Sequence, residues 1–260
     1  MENKVAFITG AGSGLGSGIA RTLCAEGYDI ALHTGSNTQR ANKLKDELIA
    51  ETGRRVEVFT ADFTQYGAAA DLFKQFNEAF DRLDIFVANA GVSEFGRLME
   101  MPEELYDRIH NINFKSAYFC VREAALSMKK FEIAGSIVLI SSNQHLNIGP
   151  GNSAYSLSKE SMIKLTKHAA VEFARYKIRV NCIAPGFVNT GEERMEPMKG
   201  RFEKTIPMQR WVEPEEIARW ILFMHSNDAL SLTGDTIELD GGARLLSGDP
   251  YNYYKERGEK

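Results

Sequence analysis

The chain has no continuous apolar run of about 18 residues, so no membrane-spanning helix is expected. It has no strong excess of either charge. A formal net charge of -4 over 260 residues gives a polyanion no reason to bind. Cysteine is scarce: Cys24, Cys120 and Cys182 lie far apart, with no C-x-x-C spacing. That argues against a disulfide framework or a metal site and predicts buried thiols in a reducing cytoplasm. Met1-Glu2-Asn3-Lys4 leads straight into a strand-like run, so no signal peptide is expected. Internal repeats and low-complexity segments are also missing. What remains is a composition of 43% hydrophobic and 25% charged residues, ordinary for a soluble globular protein with a sizeable core.

Short apolar runs alternate with helical patterns along the whole length. Strands are predicted at Val5 to Thr9, Tyr28 to His33, Val56 to Thr60, Asp84 to Ala88, Ile137 to Ile140, Ile178 to Ala184 and Gly234 to Leu239. Helices are predicted between them. The first runs from about Leu15 to Glu26 and stops at Gly27, and another covers about Gln65 to Phe80, with Leu72, Phe73, Phe76 and Phe80 facing the core. Further helical stretches cover Glu103 to His110 and Phe114 to Phe131, and one opens at Glu213-Pro214 with proline in its first turn. The alternation predicts a single-domain α/β fold, a doubly wound Rossmann fold of about seven parallel strands with helices on both faces. Asn89, Ser142 and Pro185 all follow strand C-termini, where such sheets bind ligands.

Two stretches carry the chemistry. After the first strand comes Thr9-Gly10-Ala11-Gly12-Ser13-Gly14-Leu15-Gly16, which opens a helix. Gly10 permits a tight turn, Gly14 and Gly16 allow close approach of a phosphate, and the helix N-terminus presents free N–H groups. No Gly-Lys-Ser/Thr follows, which argues against a nucleotide-hydrolysing loop. The second stretch runs from Ser142 at a strand end to Tyr155 and Lys159, four apart on one helix face. A free tyrosine, with a pKa of about 10, is a poor base at neutral pH. A nearby ammonium favours the phenolate, which would let Tyr155 exchange protons with a hydroxyl or carbonyl held by Ser142. The plain alternative is a helix start with a surface lysine and a capping serine.

The order and spacing of the glycine turn, Asn89-Ala90-Gly91, Asn113, Ser142, Tyr155, Lys159 and Pro185-Gly186 resemble the short-chain dehydrogenase/reductase family over roughly Lys4 to Leu246. The T-G-x-x-x-G-x-G spacing marks the branch of alcohol dehydrogenases and ketoreductases, not the longer, epimerase-rich branch. The resemblance implies an NAD(P)-dependent oxidoreductase with Asn113, Ser142, Tyr155 and Lys159 as its catalytic set. Tyr155 would exchange the proton, and Lys159 would lower its pKa and hold the nicotinamide ribose. Ser142 would position the substrate, and Asn113 would support a proton relay. The coenzyme would lie along Gly10, Ser13, Gly14, Leu15, Gly16, Thr34, Ser36 and Asn37, with Asp62 and Phe63 near the adenine. Asn89, Ala90, Gly91, Tyr155, Lys159, Pro185, Gly186, Val188 and Thr190 would lie near the nicotinamide. Asp62 also reads as a helix cap before Thr64. The family usually shows asparagine where this chain has Ala88. A cofactor-sensing regulator on the same fold would be expected to have lost the tyrosine or the lysine.

No carboxylate stands between His33 and Arg40, where a site for NAD(H) usually has one. Hydroxyls, amides and Arg40 favour NADP(H). Ser13, where many NADP-dependent members carry a basic residue, keeps NAD(H) open. The substrate is expected to be a sugar or polyol held by Ser142, Gln144, His145 and Glu94. The loop also offers Asn143, Asn147 and Asn152. A 3-oxoacyl thioester, steroid or other apolar ketone is the alternative. Residues 188–212 read as a lid with Met195 and Met198, opened by Glu192 and Glu193. The tail with Tyr251, Tyr253 and Tyr254 is frayed or packs on a neighbour. The resemblance further implies a homo-oligomer, a tetramer, while charge and hydropathy give neither nucleic acid nor membrane as partner.

Overall fold

The computed structural model describes residues 3–191, 200 and 204–245. Seven parallel strands form one sheet in the order β3-β2-β1-β4-β5-β6-β7. They are β1 (Val5–Ile8), β2 (Asp29–Thr34), β3 (Val56–Thr60), β4 (Ile85–Ala88), β5 (Ser136–Ile140), β6 (Arg179–Pro185) and β7 (Thr236–Leu239). The main helices are α1 (Gly14–Ala25), α2 (Thr38–Thr52), α3 (Ala68–Ala79), α4 (Glu103–His110), α5 (Ser116–Lys130), α6 (Ser153–Phe173) and α7 (Pro214–His225). This is the doubly wound sheet that the alternating pattern predicts. The strand order reverses between β1 and β4, and that is where a crevice opens above the carboxyl ends.

Each sheet face buries its own apolar layer. On one side Phe7, Phe86 and Leu139 pack with Phe73 and Phe76 of α3, Val121 of α5 and Met162 of α6. On the other side Ile8, Val87 and Ile183 pack with Ile19 and Leu23 of α1, Leu44 of α2 and Ile217 of α7. Central strands buried on both faces therefore read as unbroken apolar runs, as Ile137-Val138-Leu139-Ile140 does. Helix ends follow local chemistry. The Asn37 side chain accepts the Arg40 N–H to cap α2, and Gly53 (φ 67°) closes it. Glu213 and Glu216 form a capping box around Pro214 at the start of α7.

Several boundaries shift by a residue or two from the sequence reading, and two differences have a clear local cause. Helix α3 starts at Ala68, not Gln65, because Asp62 first turns the chain by accepting the Thr64 N–H at 2.9 Å and Gly67 adopts φ 81°. A π turn, Asn111–Lys115, joins α4 to α5, with the Ser116 N–H reaching back five residues to the Asn111 carbonyl. The expected lid at 188–212 falls partly outside the described residues, as do Glu192, Glu193, Met195, Met198 and the tyrosine-rich tail. Its two ends meet: Val188 and Val212 form a parallel bridge, and the Val212 N–H donates to the Phe187 carbonyl at 2.8 Å.

Candidate active site

The glycine turn is clamped from two strands. The Thr9 hydroxyl accepts the N–H groups of Asn89 and Ala90, at 3.0 and 3.1 Å, and donates to the Val87 carbonyl at 3.3 Å. The Asn89 amide donates to the carbonyls of Thr9 and Gly10, at 2.9 and 3.2 Å. Gly10 and Gly14 have φ of 66° and 57°, a region that favours glycine. A Cβ on Gly16 would collide with the Gly10 carbonyl and lie 2.6 Å from the Asn89 amide nitrogen. Ser13 stands at the N-cap of α1 with no capping bond from its side chain, and no acidic residue occupies the first turn. A bare helix terminus behind glycines that admit close approach fits a dinucleotide pyrophosphate.

His33, at the end of the predicted second strand, lies in β2 and supports the glycine turn from below. His33 is 2% exposed. Its Nδ1 accepts the Gly10 N–H at 3.2 Å and its Nε2 donates to the Ala61 carbonyl at 3.0 Å. Burial pushes its pKa down to about 4, only partly opposed by the bond to Ala61. It is a neutral brace under the turn. Phe63 directs its ring into the core against His33, with centroids 4.4 Å apart. Asp62 is exposed, and its Oδ1 takes both the N–H and the hydroxyl of Thr64, bonds that hold its carboxyl below the usual range. Thr34 is buried, with its hydroxyl beside Gly12, whereas Ser36 and Asn37 are exposed. No acidic side chain intervenes between Thr34 and Arg40.

Asn113, Ser142, Tyr155 and Lys159 converge at the carboxyl ends of β4 and β5. Helix α6 places Tyr155 and Lys159 on one face, one turn apart. Lys159 Nζ donates to the Ile140 carbonyl at 2.9 Å and lies 5.7 Å from the centre of the Tyr155 ring. Burial pushes its pKa down to about 8. Burial also raises the Tyr155 pKa, opposed by a hydrogen bond with the Ser142 hydroxyl. The sequence reading had Lys159 lowering Tyr155; here desolvation dominates and the ammonium lies over the ring. Asn113 is fully buried. Its Oδ1 accepts the Val92 N–H at 2.8 Å, and its Nδ2 donates to the Val92 carbonyl at 3.0 Å and to Ser158 at 3.1 Å. Its side chain therefore ties the loop after β4 to α6.

Ser142, Tyr155 and Lys159 open on a cavity of about 670 Å³. Its wall includes Leu15, Asn89, Gly91, Ser142, Gln144, Tyr155, Lys159, Pro185, Gly186, Val188 and Thr190, all named from sequence. Glu94 and His145 are not on it. The Glu94 carboxylate takes Arg108 Nε, at 3.1 Å to Oε1 and 3.3 Å to Oε2. His145 is held between Glu160 at 3.1 Å and Glu238 at 2.8 Å, tying the loop after Ser142 to α6 and β7. Sequence reasoning missed Ser93, Phe95 and Phe187 as lining residues. Their signal was position, because each follows within a few residues of a strand-terminal Asn89-Ala90-Gly91 or Pro185-Gly186.

Comparison with known proteins agrees with this geometry. A family model described as enoyl-(acyl carrier protein) reductase matches residues 10–244. Oxidoreductase UcpA of Escherichia coli is 35% identical over 256 residues, covering 94% of this chain and 96% of UcpA. The 3-oxoacyl-(acyl-carrier-protein) reductase FabG of Staphylococcus epidermidis is 31% identical, covering 92% of this chain and 98% of FabG. The crystal structure of acetoin dehydrogenase from Enterobacter cloacae superposes with a TM-score of 0.86 at 31% identity. That alignment covers 94% of this chain and 96% of the dehydrogenase.

Proposed function

Because the chain belongs to the short-chain dehydrogenase/reductase family, whose members are NAD(P)(H)-dependent oxidoreductases, we propose that it interconverts a secondary alcohol and a ketone, with a sugar or polyol or its keto form as substrate. The observation that carries this reading is the grouping of Ser142, Tyr155 and Lys159 on a cavity whose wall also bears Asn143, Gln144 and Asn152. The nicotinamide, when bound, supplies the acceptor or donor of hydride. The chain's own residues handle orientation and the proton. Ser142 and Tyr155 hold the reacting oxygen by their hydroxyls. In reduction the Tyr155 hydroxyl gives its proton to that oxygen and becomes a phenolate beside Lys159. In oxidation the phenolate takes the proton back. Asn113 keeps Val92 and α6 in register and so fixes the tetrad's spacing.

We assign the coenzyme as NADP(H), with NAD(H) the alternative. Thr34, Ser36, Asn37 and Arg40 offer donors and a cation, with no carboxylate to repel a 2′-phosphate. A kcat/KM for NAD above that for NADP would reverse the assignment. Three unpaired, buried cysteines support a reducing compartment such as the cytoplasm.

A second reading, reduction of a 3-oxoacyl thioester or other apolar ketone, has its own support. Phe95 on the cavity wall is 65% exposed. The Gly96 N–H donates to the Gly151 carbonyl at 2.9 Å, which brings that apolar loop beside the one carrying the exposed Leu146 and Ile148. Assaying sugars and polyols against acetoacetyl thioesters and steroids separates the two. Turnover confined to the apolar set would replace the polyol assignment.

A further inference from the structure

Gln144 is fixed at both ends by groups next to the tetrad. Its backbone N–H donates to the Ser142 hydroxyl at 3.2 Å, and its carbonyl accepts the Ser156 hydroxyl at 2.7 Å. Its side-chain Oε1 accepts from Asn152 Nδ2. That last bond leaves the Gln144 NH2 as the end of the amide not taken up by Asn152, in a side chain that lines the cavity. Asn152 gives up something to hold it. It stands at the N-cap of α6, where an asparagine oxygen ordinarily accepts a backbone N–H, yet its side chain caps nothing. Asn152 is 7% exposed, and its Oδ1 is buried with no partner at all. An unpaired buried acceptor is costly. The packing of the loop thus favours a set orientation of Gln144 over a capped helix.

Asn152 is the N-cap of the helix that carries Tyr155, three residues before it. Gln144, tied by its N–H to the Ser142 hydroxyl, lines the same cavity as Ser142 and Tyr155, which would hold the reacting oxygen. We propose that the Gln144–Asn152 pair recognises a second oxygen on the carbon next to the reacting carbinol, so that the substrate is a vicinal diol or the matching α-hydroxy ketone. Gln144 donates to that oxygen, and Asn152 is a positioning residue that acts through Gln144. This rests on the alcohol–ketone reading and narrows it: a polar wall accepts many polyols, but one oriented donor on the wall next to Ser142 selects adjacent oxygens. A simple secondary alcohol leaves the donor unpaired.

The test uses paired substrates: a four-carbon vicinal diol against the secondary butanol of the same skeleton, and acetoin against butanone, each with NADP and NAD. The wild type is expected to prefer the oxygenated partner in kcat/KM. Gln144→Leu is expected to reduce that preference by about 10- to 100-fold, the effect of losing one oriented hydrogen bond. Gln144→Glu, which keeps the shape but presents only acceptors, serves the same purpose should the leucine variant fold poorly. Asn152→Ala is expected to reduce the preference mainly through KM for the diol, and Asn152→Ser, whose hydroxyl can still donate to Gln144, to restore part of it. Equal kcat/KM for diol and mono-alcohol, or a preference unchanged in all the variants, would overturn the proposal and leave the alcohol–ketone reaction standing. Failure of the wild type on all four compounds, with turnover of larger sugars or polyols, would also overturn the proposal, whereas no turnover of any alcohol or ketone would remove the alcohol–ketone reading.

Discussion

Lys159 lies over the ring of Tyr155, with Nζ 5.7 Å from the ring centre and hydrogen-bonded to the Ile140 carbonyl. The lysine is thereby placed to feel charge on the phenol without bonding its ring. Tyr155→Phe keeps this packing and removes only the hydroxyl. Turnover is expected to fall by on the order of 100- to 10,000-fold, with coenzyme binding retained. Coenzyme fluorescence titration and steady-state assays report both. A phenylalanine variant with most of its kcat would remove Tyr155 from the proton step.

The same pair sets a pH dependence. Burial holds the Tyr155 proton on, and pushes Lys159 down to about 8. Ketone reduction spends the Tyr155 proton, which burial keeps in place, so its kcat/KM is expected to hold through neutral pH and to fall only at alkaline pH where the phenol ionises. Alcohol oxidation needs the phenolate and is expected to rise over the same range. Profiles measured in both directions should therefore have opposite slopes. Parallel profiles would contradict the assignment.

Much of this site was legible in the sequence because strand ends in a parallel sheet are marked by abrupt changes in residue type. Ile140 gives way to Ser141-Ser142, Ala88 to Asn89, and Pro185 to Gly186. What stayed hidden was long-range or orientational. His33 sits in a strand buried on both faces, so its neighbours gave no inside–outside alternation to mark it as buried. His145 meets Glu238 across 93 residues of chain, a partnership that no local pattern encodes. The π turn adds one residue to a helical path, which a 3.6-residue periodicity does not register.

Gly16 has no room for a side chain. A Cβ there would lie 2.6 Å from the Asn89 amide and 2.9 Å from the Ala11 Cα, besides striking the Gly10 carbonyl. Gly16→Ala is expected to cost about 1–3 kcal/mol of stability and to weaken coenzyme binding by moving the turn. Gly35→Ala, whose Cβ would meet nothing closer than the Ala61 carbonyl at 3.9 Å, is the stability control. Thermal melts with and without coenzyme check both. Equal melting temperatures for the two variants would show that the turn yields without strain.

His33 makes the fold acid-sensitive. Its folded pKa, about 4, lies below the ordinary 6.5. The unfolded chain therefore binds a proton first as pH falls, and stability drops between about 6.5 and 4, with the full loss reached below 4. At about 1.4 kcal/mol per pKa unit this amounts to roughly 3 kcal/mol. His225, also pushed down to about 4 by burial and by Lys4, adds to the same window. His33→Asn offers an acceptor that does not titrate. Its melting temperature is expected to start lower at pH 7 and to fall less steeply towards pH 4. An unchanged slope would place the acid sensitivity elsewhere.

The last prediction concerns assembly. The apolar side chains on α5 and α6 divide into two faces. Val121, Ala125, Met128, Met162 and Ala169 are buried in the core, whereas Tyr118, Leu126 and Val171 are exposed, Val171 to 80%. Between the helices runs a groove of about 550 Å³, where Phe114, Tyr118, Leu165 and Phe173 lie among Arg122, Lys164, His168 and Glu172. It adjoins a second, of about 490 Å³, bordered by Leu126, Val171 and Tyr176. Apolar side chains at this density gain by leaving water. A two-fold pairing would set α5 and α6 against their copies, each burying the same stripe. A homo-oligomer is expected, a tetramer built from such dimers. Leu126→Glu and Val171→Glu place charge in the groove without touching the sheet, so they are expected to yield smaller particles with unchanged circular dichroism. Light scattering decides it: a wild-type particle of 29 kDa at micromolar concentration would refute the assembly. Variants that stay as large as the wild type would move the interface to another face.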